Sequence, residues 1–255
     1  MRRLEQATAC ALRLLAPNPG PLTLDGTNTW VLRERGSAEC VVVDPGPDDD
    51  GHLRQIAEHG PVALIVLTHG HDDHSAGAPR LHAMTGAPVL ARDRRHCIDA
   101  LPLEPGATRG AAGVDWVTVL TPGHSSDSVC LLVEPDRALL TGDTVLGRGT
   151  SVVAHPDGRL ADYLDSLWRL RDLAADSVDV LLPGHGPVLH QPVEVLEFYL
   201  VHRAERLDQV RAALAAGDAD AAAIVRSVYA GVDRSLWPAA EQSVRAQLDY
   251  LRGSS

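Results

Sequence analysis

The sequence predicts an α/β fold with sheets inside and helices outside, followed by a small all-helical C-terminal subdomain. Short β-branched runs bounded by Gly, Pro and Asp alternate with helical patterns over residues 1–190. After Pro192 only helical periodicity remains. A chain of 255 residues that is 45% hydrophobic is long enough to bury a substantial core. We therefore expect one layered domain at 1–190 and a helical subdomain at 191–255.

Within the first domain, eight apolar runs predict strands and three periodic segments predict helices. The predicted strands are 28–34, 39–44, 62–68, 87–92, 114–121, 128–134, 138–143 and 177–184. The predicted helices lie near 51–59, 75–85 and 160–174. In the last of these, leucine and tyrosine recur at steps of three and four residues, which is typical of a helix that buries one face.

The C-terminal residues predict three helices. The first, at 193–216, places apolar side chains on one face and is followed by Gly217, a typical helix stop. The residues on that face are Val193, Leu196, Leu200, Ala204, Leu207, Val210 and Leu214. Two shorter helices are expected near 218–230 and 235–252. Residues 193–255 contain seven arginines and nine acidic residues and have no basic stripe, which is unlike a nucleic-acid-binding module. We therefore expect these helices to form a lid or a dimer contact.

Composition restricts the chemistry and the partners. The formal net charge is -11, which disfavours binding to nucleic acid and to anionic membranes. All 23 basic residues are arginines, which excludes catalysis by a lysine nucleophile. No run approaches the ~20 apolar residues of a spanning helix. Glu5 and Arg13 interrupt the apolar N-terminal stretch, which is unlike a signal peptide. The four cysteines are far apart, so we expect reduced thiols and a cytoplasmic protein that has no membrane partner.

Four of the predicted strands end in residues of the types that bind metals. The strand at 62–68 runs into the sequence "HGHDDH", and three later strands run into "TPGH", "TGD" and "PGHGP". The seven residues are His69, His71, Asp73, His74, His124, Asp143 and His185. Loops beyond strand ends are where sites assemble in layered α/β proteins, so we expect these side chains to converge. Seven ligands exceed one tetrahedral ion but suit two ions that share a carboxylate.

Taken together, "THGHDDH", "TPGH", "TGD" and "PGHGP" resemble the successive metal-binding motifs of the metallo-β-lactamase-fold hydrolases, over about residues 18–190. The resemblance implies an αβ/βα four-layer sandwich as the catalytic domain. It also implies two divalent metal ions, with zinc the first choice and iron or manganese the alternatives. By motif, His69, His71 and His124 hold the first ion, Asp73, His74 and His185 hold the second, and Asp143 bridges both. Thr68 and Asp72 are expected to orient the imidazoles.

Two further stretches are similar to the LACTB2-like subgroup of that superfamily. They are "NPGPLTLDGTNTWVL" near the start and the tail from "VHRAERLDQV" to "RAQLDYL". In that subgroup the tail resembles a winged-helix module, and the relatives include endoribonucleases that act on single-stranded RNA. Here the last predicted helix ends near Ser255, so we expect a truncated module without wing strands.

The leading functional hypothesis is a binuclear hydrolase in which a metal-bridging hydroxide attacks a small ester or thioester. Asp73 and Asp143 are the candidate catalytic residues, because each carboxylate can orient the nucleophile or shuttle its proton. Candidate substrate contacts are Asn28 and Thr29 at the site rim, Arg148 for an anionic group, His155 in the cleft and Tyr163 for the leaving group.

Three alternatives stay open. The same metals also suit cleavage of single-stranded RNA, and the H-x-H-x-D-H pattern also occurs in mononuclear-iron sulfur dioxygenases. A binding protein with little turnover, which uses its tail to recruit RNA or protein, is the third. A small-molecule substrate is the leading expectation for the partner, with RNA and a homodimer as the other candidates.

Overall fold

The computed structural model describes residues 4–218 and 220–253. Two six-stranded mixed sheets pack face to face, and helices cover the outer face of each sheet. This arrangement confirms the predicted four-layer fold class, with an additional group of C-terminal helices. None of the helices in the described part of the chain has both the length and the apolar character needed to cross a membrane.

The first sheet has six strands in sequential order, antiparallel from β1 to β4 and parallel from β4 to β6. Its strands are β1 (Glu5–Gln6), β2 (Ala11–Leu15), β3 (Asn28–Leu32), β4 (Cys40–Val43), β5 (Val62–Val66) and β6 (Val89–Leu90). In the parallel pair, Val43 lies opposite Val66. The residues that follow β4 and β5 therefore emerge at the same edge of the sheet.

The second sheet has the order β12-β11-β10-β9-β8-β7, in which only β10 and β11 are parallel. Its strands are β7 (Thr108–Ala111), β8 (Val114–Leu120), β9 (Val129–Val133), β10 (Ala138–Gly142), β11 (Val180–Pro183) and β12 (Leu189–His190). Because β9 is antiparallel to both β8 and β10, the ends of β8, β10 and β11 lie at one edge.

The main core lies between the two sheets. Trp30 and Val43 of the first sheet pack there with Trp116, Leu131 and Leu140 of the second, and all five side chains are buried. Strands buried on both faces read as continuous apolar runs, which is why the sequence signal for most of them is strong.

The helices are α1 (Asp50–Ala57), α2 (Asp72–Ser75), α3 (Ala78–Thr85), α4 (Leu160–Ser177), α5 (Pro192–Ala215), α6 (Ala221–Val228) and α7 (Trp237–Gly253). The α1 and α3 helices cover the first sheet, and α4 and α5 cover the second. The Asp49 side chain accepts a hydrogen bond from the backbone N–H of His52 at the start of α1, which is a typical N-cap.

The α5 helix belongs to two cores. Its Leu196 and Tyr199 pack with Leu167 of α4 against the second sheet. Further along, Val210 packs with residues of α6 and α7, including Ile224 and Val244, in a separate small core. The C-terminal helices are thus attached to the sandwich through a shared helix.

The structure differs from the sequence prediction in three places. Strands β1, β2, β7 and β12 were not predicted. The predicted helix at 75–85 begins only at Ala78, as α3, because the short helix α2 ends at Ser75 and is separated from α3 by Ala76 and Gly77. A Cβ atom at Gly77 would come within 2.9 Å of the Pro47 carbonyl oxygen. On α5, Arg203 is buried whereas Ala204 is exposed, so the buried face is rotated from the predicted one.

Candidate metal centre

The seven residues predicted to bind metal lie together at one edge of the two sheets. Each comes from a segment just beyond a strand: the loop after β5 with α2, and the loops after β8, β10 and β11. Three groups of three have ligand atoms that all lie within 4.8 Å of one another. The groups are His69, His71 and His124; His69, His74 and Asp143; and Asp73, His74 and His185.

The first group contains only imidazoles. Nε2 of His69 lies 3.1 Å from Nδ1 of His71, and Nε2 of His124 lies 3.0 Å from the same Nδ1 atom. Three ring nitrogens at this spacing can surround one small cation, since a tetrahedral zinc ion has N-ligands at about 2.0–2.1 Å.

The second group combines imidazoles with a carboxylate. Nε2 of His185 lies 3.1 Å from Nε2 of His74 and 3.1 Å from Oδ2 of Asp73. Asp143 lies between the two groups, because its Oδ1 is 3.3 Å from Nε2 of His74 and its Oδ2 is 3.8 Å from Nε2 of His124. Oδ1 of Asp143 is buried and has no hydrogen-bond partner in the described residues.

The outward-facing ring nitrogens have hydrogen-bond acceptors. Nδ1 of His124 lies 2.7 Å from the carbonyl oxygen of Val152, and Nδ1 of His185 lies 3.2 Å from that of Gly26. When a neutral imidazole donates its outer N–H, the ring nitrogen that faces the cluster is unprotonated. Inner nitrogens about 3 Å apart would repel each other as lone pairs, so the donor set fits metal ions.

Asp44, which sequence reasoning missed, fixes His74 and Thr68. Its Oδ2 is 2.9 Å from Nδ1 of His74 and accepts a hydrogen bond from Oγ1 of Thr68 at 2.7 Å. Its Oδ1 accepts from the backbone N–H of Thr68 at 2.8 Å. Asp72, in contrast, is exposed at the start of α2, so the orienting carboxylate is Asp44. The available signal was its position at the end of a predicted strand.

Charges within the cluster depend on one another. Burial favours the neutral form of Asp143, yet His185 and His74 lower the pKa of its carboxyl well below the usual range. Without a bound ion, burial opposes protonation of His185, yet Asp143 and Asp73 raise its pKa to about 9, and a metal ion would have to displace that proton. Burial, together with His74, lowers the pKa of His69 well below its usual value. The carboxylates are therefore ionised at neutral pH.

A cavity of about 750 Å³ opens onto this cluster. His71, Asp73, His124 and Asp143 line it at the metal end. The remaining walls come from residues 21–24, from residues 146–155 and from the C-terminal segment. The helical segment thus contributes a wall of the cavity.

Two of the five predicted substrate contacts line the cavity. Arg148 does so while its guanidinium forms a bidentate ion pair with Asp25, at 2.6 and 2.8 Å. His155 does so while its Nε2 lies 2.9 Å from Oδ2 of Asp249 on α7. Both side chains connect different parts of the cavity wall.

The other three are buried and bonded to the protein. The amide of Asn28 donates to the carbonyl oxygens of Pro183 and Gly186, at 2.9 and 2.8 Å, on either side of His185. The hydroxyl of Thr29 donates to the Asp44 carbonyl oxygen. The hydroxyl of Tyr163 donates to the Thr144 carbonyl oxygen at 2.7 Å. All three side chains are thus bonded within the protein, and the described lining of the cavity does not include them.

Three further cavity residues on α5 were missed as site residues. His202, Arg203 and Arg206 all line the cavity. On sequence alone they are polar residues of an amphipathic helix, which ordinarily face solvent.

The structure has two mixed sheets that face each other and a cluster of His and Asp side chains where their strands end. This combination is typical of a class of α/β-sandwich proteins that are metal-dependent hydrolases. The model of the Metallo-beta-lactamase superfamily matches residues 22–185, and the chain belongs to this family. A second model, the Beta-lactamase associated winged helix domain, matches residues 221–252. These matches confirm the family resemblance, including that of the tail.

Individual relatives cover most of the chain. The "Beta-lactamase-like protein 2 homolog" of Drosophila melanogaster is 30% identical, over 96% of this chain and 88% of that protein. The "Lactamase-like protein vrtG" of Penicillium aethiopicum is 36% identical, over 80% of this chain and 65% of that protein. A solved β-lactamase domain protein from Burkholderia ambifaria has a TM-score of 0.82 and 25% identity, and covers 98% of this chain and 88% of its own.

Proposed function

We propose that the protein is a hydrolase that uses two divalent metal ions, preferably zinc, to cleave an ester or thioester of a small molecule. The observation that carries this proposal is the position of Asp143 between two separate ligand groups, at the floor of a cavity of about 750 Å³. A second complete group, Asp73 with His74 and His185, favours two ions over the single iron of a sulfur dioxygenase.

His69, His71 and His124 would hold one ion, and Asp73, His74 and His185 the other, with Asp143 in contact with both. When bound, two such ions polarise a carbonyl oxygen and lower the pKa of a water molecule. Asp73 and Asp143 line the cavity at the metal end, so either carboxylate can orient the attacking water.

The cavity supports a small substrate over RNA. Its walls close around the metal end from residues 146–155 and from the C-terminal helices. With a net charge of -11, the chain is poorly suited to hold a polyanion through many phosphate contacts. A short acyl compound that reaches the cluster through this cavity fits the shape and the charge.

The test combines metal analysis with a substrate panel of esters, thioesters and single-stranded RNA. We expect close to two transition-metal ions per chain, hydrolysis of a thioester or ester, and loss of turnover on chelation. Asp143→Asn should lower kcat by about 100-fold or more. Asp115→Asn, at an exposed aspartate of β8, is the matched control and should leave kcat unchanged.

One ion in fully active protein would exclude the two-metal proposal. Turnover of RNA alone within the panel would replace the ester by a phosphodiester. Oxygen consumption with a persulfide and iron would instead support the dioxygenase alternative.

A further inference from the structure

The cavity has a positively charged wall that the metal centre does not explain. Arg203 and Arg206 are three residues apart on α5, so their side chains lie on the same face of the helix. Both line the cavity. The carboxylates among the described lining residues are Asp73 and Asp143, and both belong to the proposed metal centre.

Arg203 is buried without a carboxylate partner. Only 4% of the residue is exposed. One Nη atom donates to the carbonyl oxygen of Ser151, and the guanidinium lies 4.8 Å from the ring centre of Tyr163. Its Nε has no hydrogen-bond partner within the described chain. A guanidinium has five N–H donors, so this side chain retains donors for a ligand.

Arg206 also has only neutral partners in the described residues. Its Nη1 donates to Oε1 of Gln209 at 2.9 Å and to the carbonyl oxygen of Val228 at 3.1 Å. Its guanidinium lies 4.5 Å from the ring centre of Tyr229. Arg148 differs, because its charge is already balanced by Asp25.

The adjacent histidine responds to both charges. Burial and the charges of Arg203 and Arg206 lower the pKa of His202 to about 4. Among residues 4–218 and 220–253, the groups that contact the two guanidiniums are neutral, so no carboxylate offsets their charges. Desolvated charge without a counter-ion is unfavourable, and an anionic ligand would relieve it.

We propose that Arg203 and Arg206 bind a negatively charged group of the substrate, a carboxylate or a phosphate, while the metal centre holds the scissile bond. Guanidinium groups match both anions through paired N–H donors. This inference rests on the proposed hydrolase function and adds the substrate class, an anionic ester or thioester. The Ser151 carbonyl connects Arg203 to the loop at the metal end, because the Ser151 hydroxyl lies 3.2 Å from Nδ1 of His124.

The kinetic test uses the zinc-loaded full chain and two matched sets of thioesters. One set varies the far end of the acyl group and the other varies the thiol, and each contains a carboxylate, a phosphate and an uncharged methyl ester. We expect one anionic member to have a kcat/KM at least about tenfold above its methyl ester, since charge-assisted hydrogen bonds have this magnitude. The preferred member distinguishes carboxylate from phosphate.

Variants then test the arginines. Arg206→Gln should remove the preference by raising KM for the anionic member. Arg206→Lys should retain part of it. The control is Arg211→Gln on the same helix, where an exposed arginine pairs with Asp208 at 2.7 Å. That variant should keep the full preference. Equal kcat/KM for charged and methyl esters, or a preference that survives Arg206→Gln, would overturn the inference.

A binding measurement separates this inference from the hydrolase proposal. Glutarate and inorganic phosphate are titrated calorimetrically into zinc-loaded wild type, Arg206→Gln and Arg211→Gln, with the metal content of each measured. We expect one anion to bind about tenfold more weakly to Arg206→Gln alone. If no thioester is cleaved but this difference is found, the reaction assignment fails and the anion site stands. Equal affinity of both anions for all three proteins would refute the anion site.

Discussion

Asp44 is the residue on which the orientation of His74 depends. Asp44 is 1% exposed. Its carboxylate contacts the imidazole of His74 and accepts hydrogen bonds from the hydroxyl and the backbone N–H of Thr68. A carboxylate behind a ligating histidine fixes the ring and makes its inner nitrogen a better donor. The position of a proposed metal ligand is therefore set by a residue that does not itself face the cavity.

Replacing Asp44 by asparagine should weaken metal binding and leave the fold intact. The amide keeps the size of the side chain but removes the negative charge beside His74, so we expect metal affinity to fall by about 10- to 100-fold. Competition with a chelator measures the affinity. The control is Asp48→Asn in the same loop, where the carboxylate forms an exposed ion pair with Arg80. Equal affinities in the two variants would contradict the orienting role of Asp44.

His202 should make the protein sensitive to acid. Its pKa in the folded state, about 4, lies below the ordinary histidine value of 6.5, because burial and two arginine charges disfavour the protonated ring. The unfolded chain then binds more protons at this site, so its contribution to stability is present above pH 6.5 and is lost as the pH falls toward 4.

His202→Gln should therefore lose less unfolding free energy than wild type between pH 7 and pH 4.5. Denaturant unfolding across this pH range measures the difference in unfolding free energy. This difference cannot exceed the contribution of one bound proton. His190→Gln, at an exposed histidine of β12, should follow the wild-type profile. If His202→Gln also followed the wild-type profile, the depressed pKa would be disproved.

At the scale of secondary structure, the site depends on four strand ends that meet at one edge. Gly184, between β11 and His185, has its backbone close to the cluster. A Cβ atom there would lie 2.6 Å from Oδ1 of Asp143 and 2.6 Å from Cε1 of His74. Real Cβ atoms do not tolerate such distances, so one neighbour would have to move.

Gly184→Ala should disturb the metal centre without removing a ligand. We expect metal content to fall and kcat to decrease by about tenfold or more, because the carboxylate assigned to both ions is displaced. Gly51→Ala is the matched control, since a Cβ atom there meets only Oδ1 of Asp49 at an ordinary 3.4 Å. Full metal content and wild-type kcat in Gly184→Ala would show that Asp143 need not stay in place.

The strands that the sequence predicts and most of those that it misses differ in length and in apolar content. All eight predicted strands are present because each carries an apolar run that the sandwich buries. Of the four strands that were not predicted, β7, with the sequence TRGA, has no such run, and β1 and β12 are two residues long. Each of these three strands pairs with the strand next to it in the chain, so it is defined by that backbone pairing and not by an apolar pattern. The exception is β2, which carries the apolar sequence ALRLL interrupted by Arg13. Arg203 was missed for a different reason, since its partners Ser151 and Tyr163 are distant in sequence.

At the scale of the whole molecule, the sandwich and the C-terminal helices share α5. Leu196 and Tyr199 are buried against the second sheet, whereas Val210 belongs to the core of the last helices. The boundary proposed at 190–191 therefore precedes a helix that completes the sandwich core.

Calorimetry of the full chain should show one cooperative transition. Because unfolding α6 and α7 uncovers part of α5, whose other end supports the second sheet, we expect the calorimetric and van't Hoff enthalpies to agree. Metal-free protein is the appropriate sample, since bound metal shifts the transition by mass action. Two transitions, with the smaller removed by Val244→Asp in α7, would instead indicate an independent C-terminal unit.

The sharing of α5 also limits how such an enzyme can acquire new substrates. A lid joined by a flexible linker can be exchanged whole, and the catalytic layers beneath it stay unchanged. Here the helix that presents Arg203 and Arg206 to the cavity also buries Leu196 and Tyr199 in the sandwich. Divergence of specificity is then expected to proceed by single substitutions along the cavity side of α5 and α7, because wholesale replacement would remove part of the catalytic core.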